Sequence, residues 1–410
     1  MRIGLFTDAY LPQIGGVSTS TALLQRALKE RGHLAFVITG SDPDQAKDEV
    51  DVFRVPSLPF VSAKRLTLGL HPLLAKQLKS LGIDIVHSQT EFGMGLFARQ
   101  FAKQMNIPHV HTFHTLYEDW LNDQIRSKEG GIYQKFTGSY VKSKSRRFCN
   151  KADRIIVPTP KTKKVLLDYG VTRPIDIIPT GINLSGFQAA REDSEGAKAV
   201  RDALGIKASD KMLLYLGRIS REKHIDEPLH YLKRALQGKT DVHFVLVGDG
   251  PAREELTKAA EKSSIAPYVH FVGPVPWSEV PRYYAAADIF ISASQSETQG
   301  LTYMEALAAG VPILVRSDPA IDDVVQQGIN GYTFVDESSF FEKLDKILSL
   351  DSAGYKVLSD AAYESARPYS VDQFADSVLS VYEEEIAKYE KNASDHSRTE
   401  QIKGKLKEET

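Results

Sequence analysis

The chain has 410 residues, 51 Lys and Arg against 53 Asp and Glu, 42% hydrophobic and 9% aromatic content. This is ordinary globular usage, long enough for two domains of roughly 150 to 200 residues, and it excludes a disordered or collagen-like chain. The single cysteine, Cys149, excludes an intramolecular disulfide and a Cys-rich zinc site, and the net charge of −2 gives no reason to expect a nucleic-acid binder. No run of 18 apolar residues occurs, and Met1-Arg2-Ile3-Gly4-Leu5-Phe6-Thr7-Asp8 puts an acid where the apolar core of a signal peptide must continue. A reducing, cytoplasmic compartment is the expectation.

Short runs rich in Val, Ile and Leu alternate with helical periodicity, the pattern of parallel βαβ units. The first half predicts strands at 3–7, 34–39, 83–87, 109–112, 154–157 and 175–178, with a helix over 18–30 after the first. The second half predicts a separate sheet from 212–216, 242–247, 269–272, 289–292, 312–315 and 332–335. The polar stretch 181–210 reads as a linker with a short helix, which sets an N-terminal domain at 1–180 and a C-terminal one at 181–368. Phe374, Val378, Val381 and Tyr382 at helical spacing predict a closing helix over about 369–390, and the charged tail 391–410 is expected to be disordered.

Three segments carry candidate chemistry. Gly15 and Gly16 stand between strand one and its helix, where they expose backbone and a helix N-terminus to an anion, or merely supply a turn needing positive φ. No G-x-G-x-x-G follows that strand, so a dinucleotide fingerprint is missing. Arg218 and Lys223 leave the carboxyl end of a parallel strand, where open α/β sheets bind ligands, and two such cations can hold a diphosphate. Glu297 and Glu305 flank the start of a helix opened by Gln299, Gly300 and Leu301. Gly300 exposes N–H groups suited to phosphate, and the two carboxylates can accept hydrogen bonds from two sets of sugar hydroxyls. Glu305 sits among Tyr303, Met304, Ala306 and Leu307, so it needs a partner.

The Gly-Gly loop, the Arg-x4-Lys pair and the Glu-x7-Glu pair, in that order, resemble the retaining GT-B glycosyltransferases of family four over about residues 1–390. The resemblance implies an α/β fold of two facing Rossmann-like domains with parallel sheets and a C-terminal helix crossing back to the N-domain. It implies that Arg218 and Lys223 contact the donor diphosphate, Glu297 the transferred sugar and Glu305 the ribose. Gly15 and Gly16 then close on the phosphates, and Gln299, Gly300 and Leu301 belong to the donor site. His114, in Pro108-His109-Val110-His111-Thr112-Phe113-His114, matches the family's active-site histidine and can donate to a sugar hydroxyl. Three histidines in six residues also suggest a metal, but no acid or cysteine joins them, and core packing suits His109 and His111 better.

Further stretches, among them Pro56-Ser57-Leu58-Pro59-Phe60, Ser88-Gln89-Thr90-Glu91-Phe92 and Ser296-Glu297-Thr298-Gln299-Gly300, look like bacterial diacylglycerol α-glucosyltransferases. Many family-four members have an aromatic where Gln299 stands, and Gly15-Gly16 is a small departure from the Ser-Gly common in the lipid enzymes. The implied reaction moves glucose from UDP-glucose to the 3-hydroxyl of diacylglycerol with retention. No carboxylate is placed as an acceptor-side nucleophile, so front-face displacement without cofactor or metal is expected, with hinge closure excluding water. Asp8, Glu91, Glu118 and Asp119 are candidates for acceptor contact.

Charge supports a membrane partner. Residues 126–154 hold nine basic residues against two acidic, a net +7, and include Lys135, Lys142, Lys144, Arg146 and Arg147 interleaved with Tyr140, Val141 and Phe148. That is a basic amphipathic helix suited to an anionic leaflet or, alternatively, a solvated face. Residues 58–66 add an apolar-basic loop. Residues 1–180 carry 25 basic against 16 acidic groups and residues 181–410 carry 26 against 37, so near-neutrality is a cancellation of +9 and −11. The expectation is a cytoplasmic enzyme, peripheral on the inner membrane face. The alternatives are a family-four transferase for another lipid or a soluble acceptor, a nucleotide-sugar epimerase, and a non-catalytic membrane-binding partner.

Overall fold

The computed structural model describes residues 1–13, 15–45, 49–59, 65–67, 71–116, 132–235 and 240–408, with the side chains of 59, 65–66, 132–137, 235 and 396–408 outside that description. The chain divides into two compact units, one of Met1–Thr115, Gly138–Gly181 and Val371–Thr410, the other of Leu116–Thr137 and Ile182–Ser370.

The first unit contains β1 (Arg2–Phe6), β2 (Leu34–Gly40), β3 (Val52–Val55), β4 (Ser57–Pro59), β5 (Arg65–Thr67), β6 (Ile85–Ser88), β7 (His109–Thr112), β8 (Arg154–Val157) and β9 (Ile175–Ile177). Seven of them form a parallel sheet in the order β3-β2-β1-β6-β7-β8-β9, and β4 and β5 make an antiparallel pair. Alternation sorts the side chains of β1 to opposite faces. Ile3 and Leu5 pack with Leu24 and Leu28 of helix Gly16–Glu30 and with Phe374, Val378 and Tyr382 of helix Val371–Glu408. Phe6 packs on the other face with Phe97 and Phe101 of helix Gly93–Met105. The C-terminal helix is therefore part of this unit, through the four residues whose spacing predicts it. It does not fray at 391 as expected: it continues to Glu408, because Lys- and Glu-rich sequence propagates readily from a helix already nucleated by packing.

The second unit holds β10 (Lys211–Leu216), β11 (Val242–Val247), β12 (Val269–Gly273), β13 (Ile289–Ser292), β14 (Ile313–Arg316) and β15 (Gly331–Phe334), all parallel, in the order β12-β11-β10-β13-β14-β15. Met212, Leu214 and Leu216 face one core, Leu213 and Tyr215 the other. The stretch expected as a linker with one short helix holds two helices, Leu184–Glu192 and Ser194–Ala203, capped by Asn183 and Asp193. Phe187 of the first is buried against Tyr284, which is why so polar a segment folds.

Strand order reverses at β1/β6 in one sheet and at β10/β13 in the other. Ligands of open α/β sheets bind at the carboxyl ends of strands at such reversals. All the candidate residues of the second unit leave β10 or β13, and Asp8, Gly15, Glu91 and His114 leave β1, β6 or the adjacent β7.

His87 on β6 is fully enclosed, with Nδ1 2.5 Å from the Tyr382 hydroxyl and Nε2 2.7 Å from Thr112 Oγ1, so it ties the C-terminal helix to two strands. Replacing Tyr382 by Phe keeps the ring packing and leaves one His87 nitrogen unpaired. It is expected to destabilise the protein by about 1–3 kcal/mol, read as a lower urea midpoint at unchanged slope.

Candidate active site

In the second unit main-chain pairing runs on past the strands. Gly217 N donates to Val247 O at 3.0 Å and Ile219 N to Asp249 O at 2.9 Å, which holds Arg218 on a fixed shoulder. The two backbones touch so closely that a Cβ on Gly248 meets Gly217 O at 1.9 Å and one on Gly250 meets Ile219 O at 2.2 Å. Both also have positive φ. This Gly248-Asp249-Gly250 turn is absent from the sequence reading, although a Gly-x-Gly directly after a predicted strand is a signal for it.

Lys223 ends a short 3-10 turn, Arg221–Lys223, and reaches across to the exit of β13, where its Nζ lies 2.6 Å from Glu297 Oε1 and 3.5 Å from Ser294 Oγ. Both side chains are largely enclosed, 22% and 16% exposed, so each charge depends on the other. Gly300 takes the left-handed conformation and caps helix Leu301–Ala308, whose first N–H groups open at the same strand end. Gln299 beside it is buried, and Tyr303 of this helix donates its hydroxyl to Ser292 Oγ at 3.0 Å. Glu305 is buried as its neighbours predict, and Tyr284 from helix Val280–Ala286 donates to its Oε2 at 2.8 Å. Burial outweighs that bond and pushes the Glu305 carboxyl up to about 7. The structure thus brings Lys223 and Glu297 into contact and sets Arg218, Gln299, Gly300 and Leu301 at the exits of the same two strands.

In the first unit Asp8 is buried and fully engaged. Its oxygens accept from Thr67 Oγ1 at 2.8 Å, Thr90 Oγ1 at 2.6 Å and Met94 N at 3.1 Å, tying β1 to β5, β6 and the start of helix Gly93–Met105. Glu91 accepts from Ser145 Oγ at 2.9 Å and is buried, which pushes its carboxyl up to about 7. Both acids, expected at an acceptor, bond to neighbouring protein groups, and Glu91 Oε1 has no partner among the described residues; Glu118 and Asp119 lie outside the described residues. Gly15 is not the positive-φ turn considered above: its φ of 173° is extended backbone, and a Cβ there meets only Ser18 Oγ at 3.8 Å among the described residues. His114 is half-buried, its Nε2 2.7 Å from Gln89 Oε1, and burial pulls its imidazole down to about 4, so it is neutral at pH 7. His109 and His111 are buried in the core beside Phe148. Among the described residues no group of three His, Cys, Asp or Glu is placed to hold a metal ion.

Helix Ile132–Cys149 has an apolar side and a basic side over its described residues. Its Val141, Phe148 and Cys149 are buried in the unit, and the exposed side presents Tyr140, Lys142, Lys144, Arg146 and Arg147; the side chain of Lys135 is outside the description. Arg99 and Lys103 of the neighbouring helix extend this basic face, and together with Arg147 they push the exposed Lys151 ammonium below its ordinary value, Arg99 most of all. None of these seven cations pairs with a carboxylate among the described residues. No helix among the described residues is long and apolar enough to cross a membrane.

The alpha-monoglucosyldiacylglycerol synthase of Streptococcus pneumoniae is 36% identical over 371 residues, covering 89% of this chain and 82% of that protein. The chain belongs to glycosyltransferase family 4. The Acholeplasma laidlawii protein of the same name is 33% identical over 397 residues, 95% of this chain and 99% of that one. The model of Glycosyltransferase Family 4 matches residues 14–185 and that of Glycosyl transferases group 1 matches 197–367. Solved structures agree on the fold: Anabaena Alr3699/HepE in complex with UDP-glucose superposes with TM-score 0.72 at 16% identity, covering 94% of this chain and all of that one. Sucrose-phosphate synthase of Thermosynechococcus elongatus gives 0.72 at 19% identity over 95% of this chain and all of that one. The two parallel-sheet units are those of a family-four GT-B glycosyltransferase.

Because Glu305 titrates near 7 in the folded enzyme and near 4.5 unfolded, the stability its neutral form contributes is complete below pH 4.5 and lost as pH rises through 7. Without nucleotide, Glu305→Gln is therefore expected to lose less thermal stability between pH 5 and 8 than the parent enzyme. The difference has an upper bound of about 3 kcal/mol.

Proposed function

We propose that this family-four enzyme transfers glucose from UDP-glucose to the 3-hydroxyl of 1,2-diacylglycerol with retention, giving α-monoglucosyldiacylglycerol at an anionic membrane surface. The observation that carries the reaction is the Lys223–Glu297 pair at the β10/β13 reversal, beside the glycine-built shoulder that holds Arg218. An incoming diphosphate finds two cations and the helix N-terminus behind Gly300, while Glu297, released from Lys223, accepts from hydroxyls of the glucosyl ring. Glu305 accepts from the ribose. The bond from the anomeric carbon to the diphosphate oxygen breaks as the bond to the acceptor oxygen forms on the same face. The acceptor's proton passes to the departing diphosphate, whose charge Arg218 and Lys223 stabilise. The reading needs no metal. Diacylglycerol as acceptor is supported by the activity in the names of the two relatives that align over most of this chain.

Gly15 belongs to the same reading. Neither its extended backbone nor its described neighbours require glycine, and a donor phosphate is proposed to lie against the N-terminus of helix Gly16–Glu30.

Lys223→Ala and Glu297→Ala are each expected to lower kcat/KM for glucosyl transfer by about a hundredfold or more, the usual effect of deleting one electrostatic contact to the departing group. Near-parental rates in either variant overturn the donor-site assignment, and loss of activity with EDTA overturns the metal-free reaction.

The unpaired cations of helix Ile132–Cys149 and its neighbour supply the membrane contact, by charge more than by insertion, since the helix's described aliphatic side is already buried. Each basic residue near an anionic leaflet contributes about 1 kcal/mol. Lys142→Glu, Lys144→Glu, Arg147→Glu and Lys151→Glu combined are expected to abolish salt-sensitive binding to vesicles containing phosphatidylglycerol and leave circular dichroism unchanged. Undiminished binding assigns this face to solvent.

A further inference from the structure

We propose that Gln89 is a positioning residue that fixes His114 as the Nε2–H tautomer, so that its other nitrogen, Nδ1, is a lone-pair acceptor for a substrate hydroxyl. The substrate half of this statement rests on the transferase reading; the tautomer does not.

Gln89 and His114 leave adjacent parallel strands, β6 and β7, and the main chain anchors both exits: Gln89 N donates to Phe6 O at 2.8 Å and Phe113 N to Ile156 O at 2.9 Å. Between them Gln89 Oε1 and His114 Nε2 are 2.7 Å apart. An amide oxygen has no hydrogen, so the proton in that contact belongs to the imidazole, and a neutral imidazole carries only one. The ring is neutral because burial alone lowers its affinity for a second proton; no carboxylate contributes. The described histidines beside it are uncharged as well. His87 is held between Tyr382 and Thr112, His111 is held by Ser88, and burial keeps both imidazoles well below their ordinary range.

A second observation shows that the glutamine is not there for packing. Its side chain is 2% exposed, and its amide nitrogen has no hydrogen-bond partner among the described residues. A buried amide with half its bonds unmade is a poor core residue, and an aliphatic side chain of that size serves the core better. What the amide does supply is an acceptor for His114. On this proposal His114 accepts where the sequence expectation has it donate: its Nε2–H goes to Gln89, which leaves Nδ1 to receive.

The competing arrangement turns the amide round so that it donates to a bare Nε2, and it puts the hydrogen on Nδ1. Imidazole 15N shifts of the full-length, histidine-labelled enzyme at pH 7, with His114→Gln to assign the signal, separate the two. The expected result is the Nε2–H form. The Nδ1–H form overturns the proposal, and because no donor or acceptor is added, this readout stands even if the lipid acceptor proves wrong. Gln89→Glu keeps the acceptor and adds a charge. It is expected to raise the His114 pKa and move the acid limb of kcat/KM upward by about one pH unit or more. Gln89→Leu removes the acceptor and is expected to lower kcat about tenfold or more, change KM little, and leave the acid limb in place. Equal losses in both variants with unmoved limbs mean that Gln89 is only structural.

Discussion

The ion pair between Lys223 and Glu297 is the contact on which the chemistry proposed for the second unit depends. A parallel sheet with both faces covered leaves its polar openings at the strand ends, and here the exits of β10 and β13 are held together by two charges that neither water nor the core fully accommodates. Such a pair is stable only while each charge has the other. A ligand that brings negative charge to Lys223 and hydroxyl donors to Glu297 satisfies both anew, which is what a sugar diphosphate offers. The close backbone approach of Gly217 to Gly248 and of Ile219 to Gly250 keeps that exchange local, because a shoulder built without side chains cannot repack around the cation.

The first unit meets the same constraint by the opposite means. Its ionisable groups at the strand ends are bonded or have their charge suppressed by burial: Asp8 accepts from three donors, burial pushes the Glu91 carboxyl up to about 7, and His87, His111 and His114 are uncharged imidazoles. Such a surface suits the uncharged, largely apolar acceptor proposed above. The charge of this unit is instead displaced to the outer face of helix Ile132–Cys149 and its neighbour, where Arg99, Lys103, Arg147 and Lys151 repel one another with no carboxylate paired to them among the described residues.

Most of the architecture was legible because parallel strands buried on both faces leave apolar runs that periodicity detects; β7, β8, β11 and β13 fall on their predicted bounds. The short β3 and the β4/β5 hairpin escaped because four- and three-residue strands with mixed polarity carry no period. Polarity misled at 181–210, where Phe187 alone supplies the buried anchor of its helix's aromatic packing, and at the C-terminus, where composition suggested disorder and helix propagation prevailed. At the site, Glu305 was legible from its apolar neighbours, and Arg218, Lys223 and Glu297 from their place after strands. The bonding of Asp8 and Glu91 was not, because the partners of a buried carboxylate, here Thr67, Thr90, Met94 and Ser145, come from segments distant in sequence.

The family is settled by identity along nearly the whole chain, and the fold by superposition on glycosyltransferases. The most direct test of the reaction is to supply 13C-labelled UDP-glucose and 1,2-diacylglycerol in phosphatidylglycerol vesicles and determine the mass and anomeric configuration of the lipid product. The account predicts one added hexose in α linkage at the 3-position. A β-linked product, a labelled water-soluble product alone, or interconversion of the donor sugar without an acceptor contradicts it.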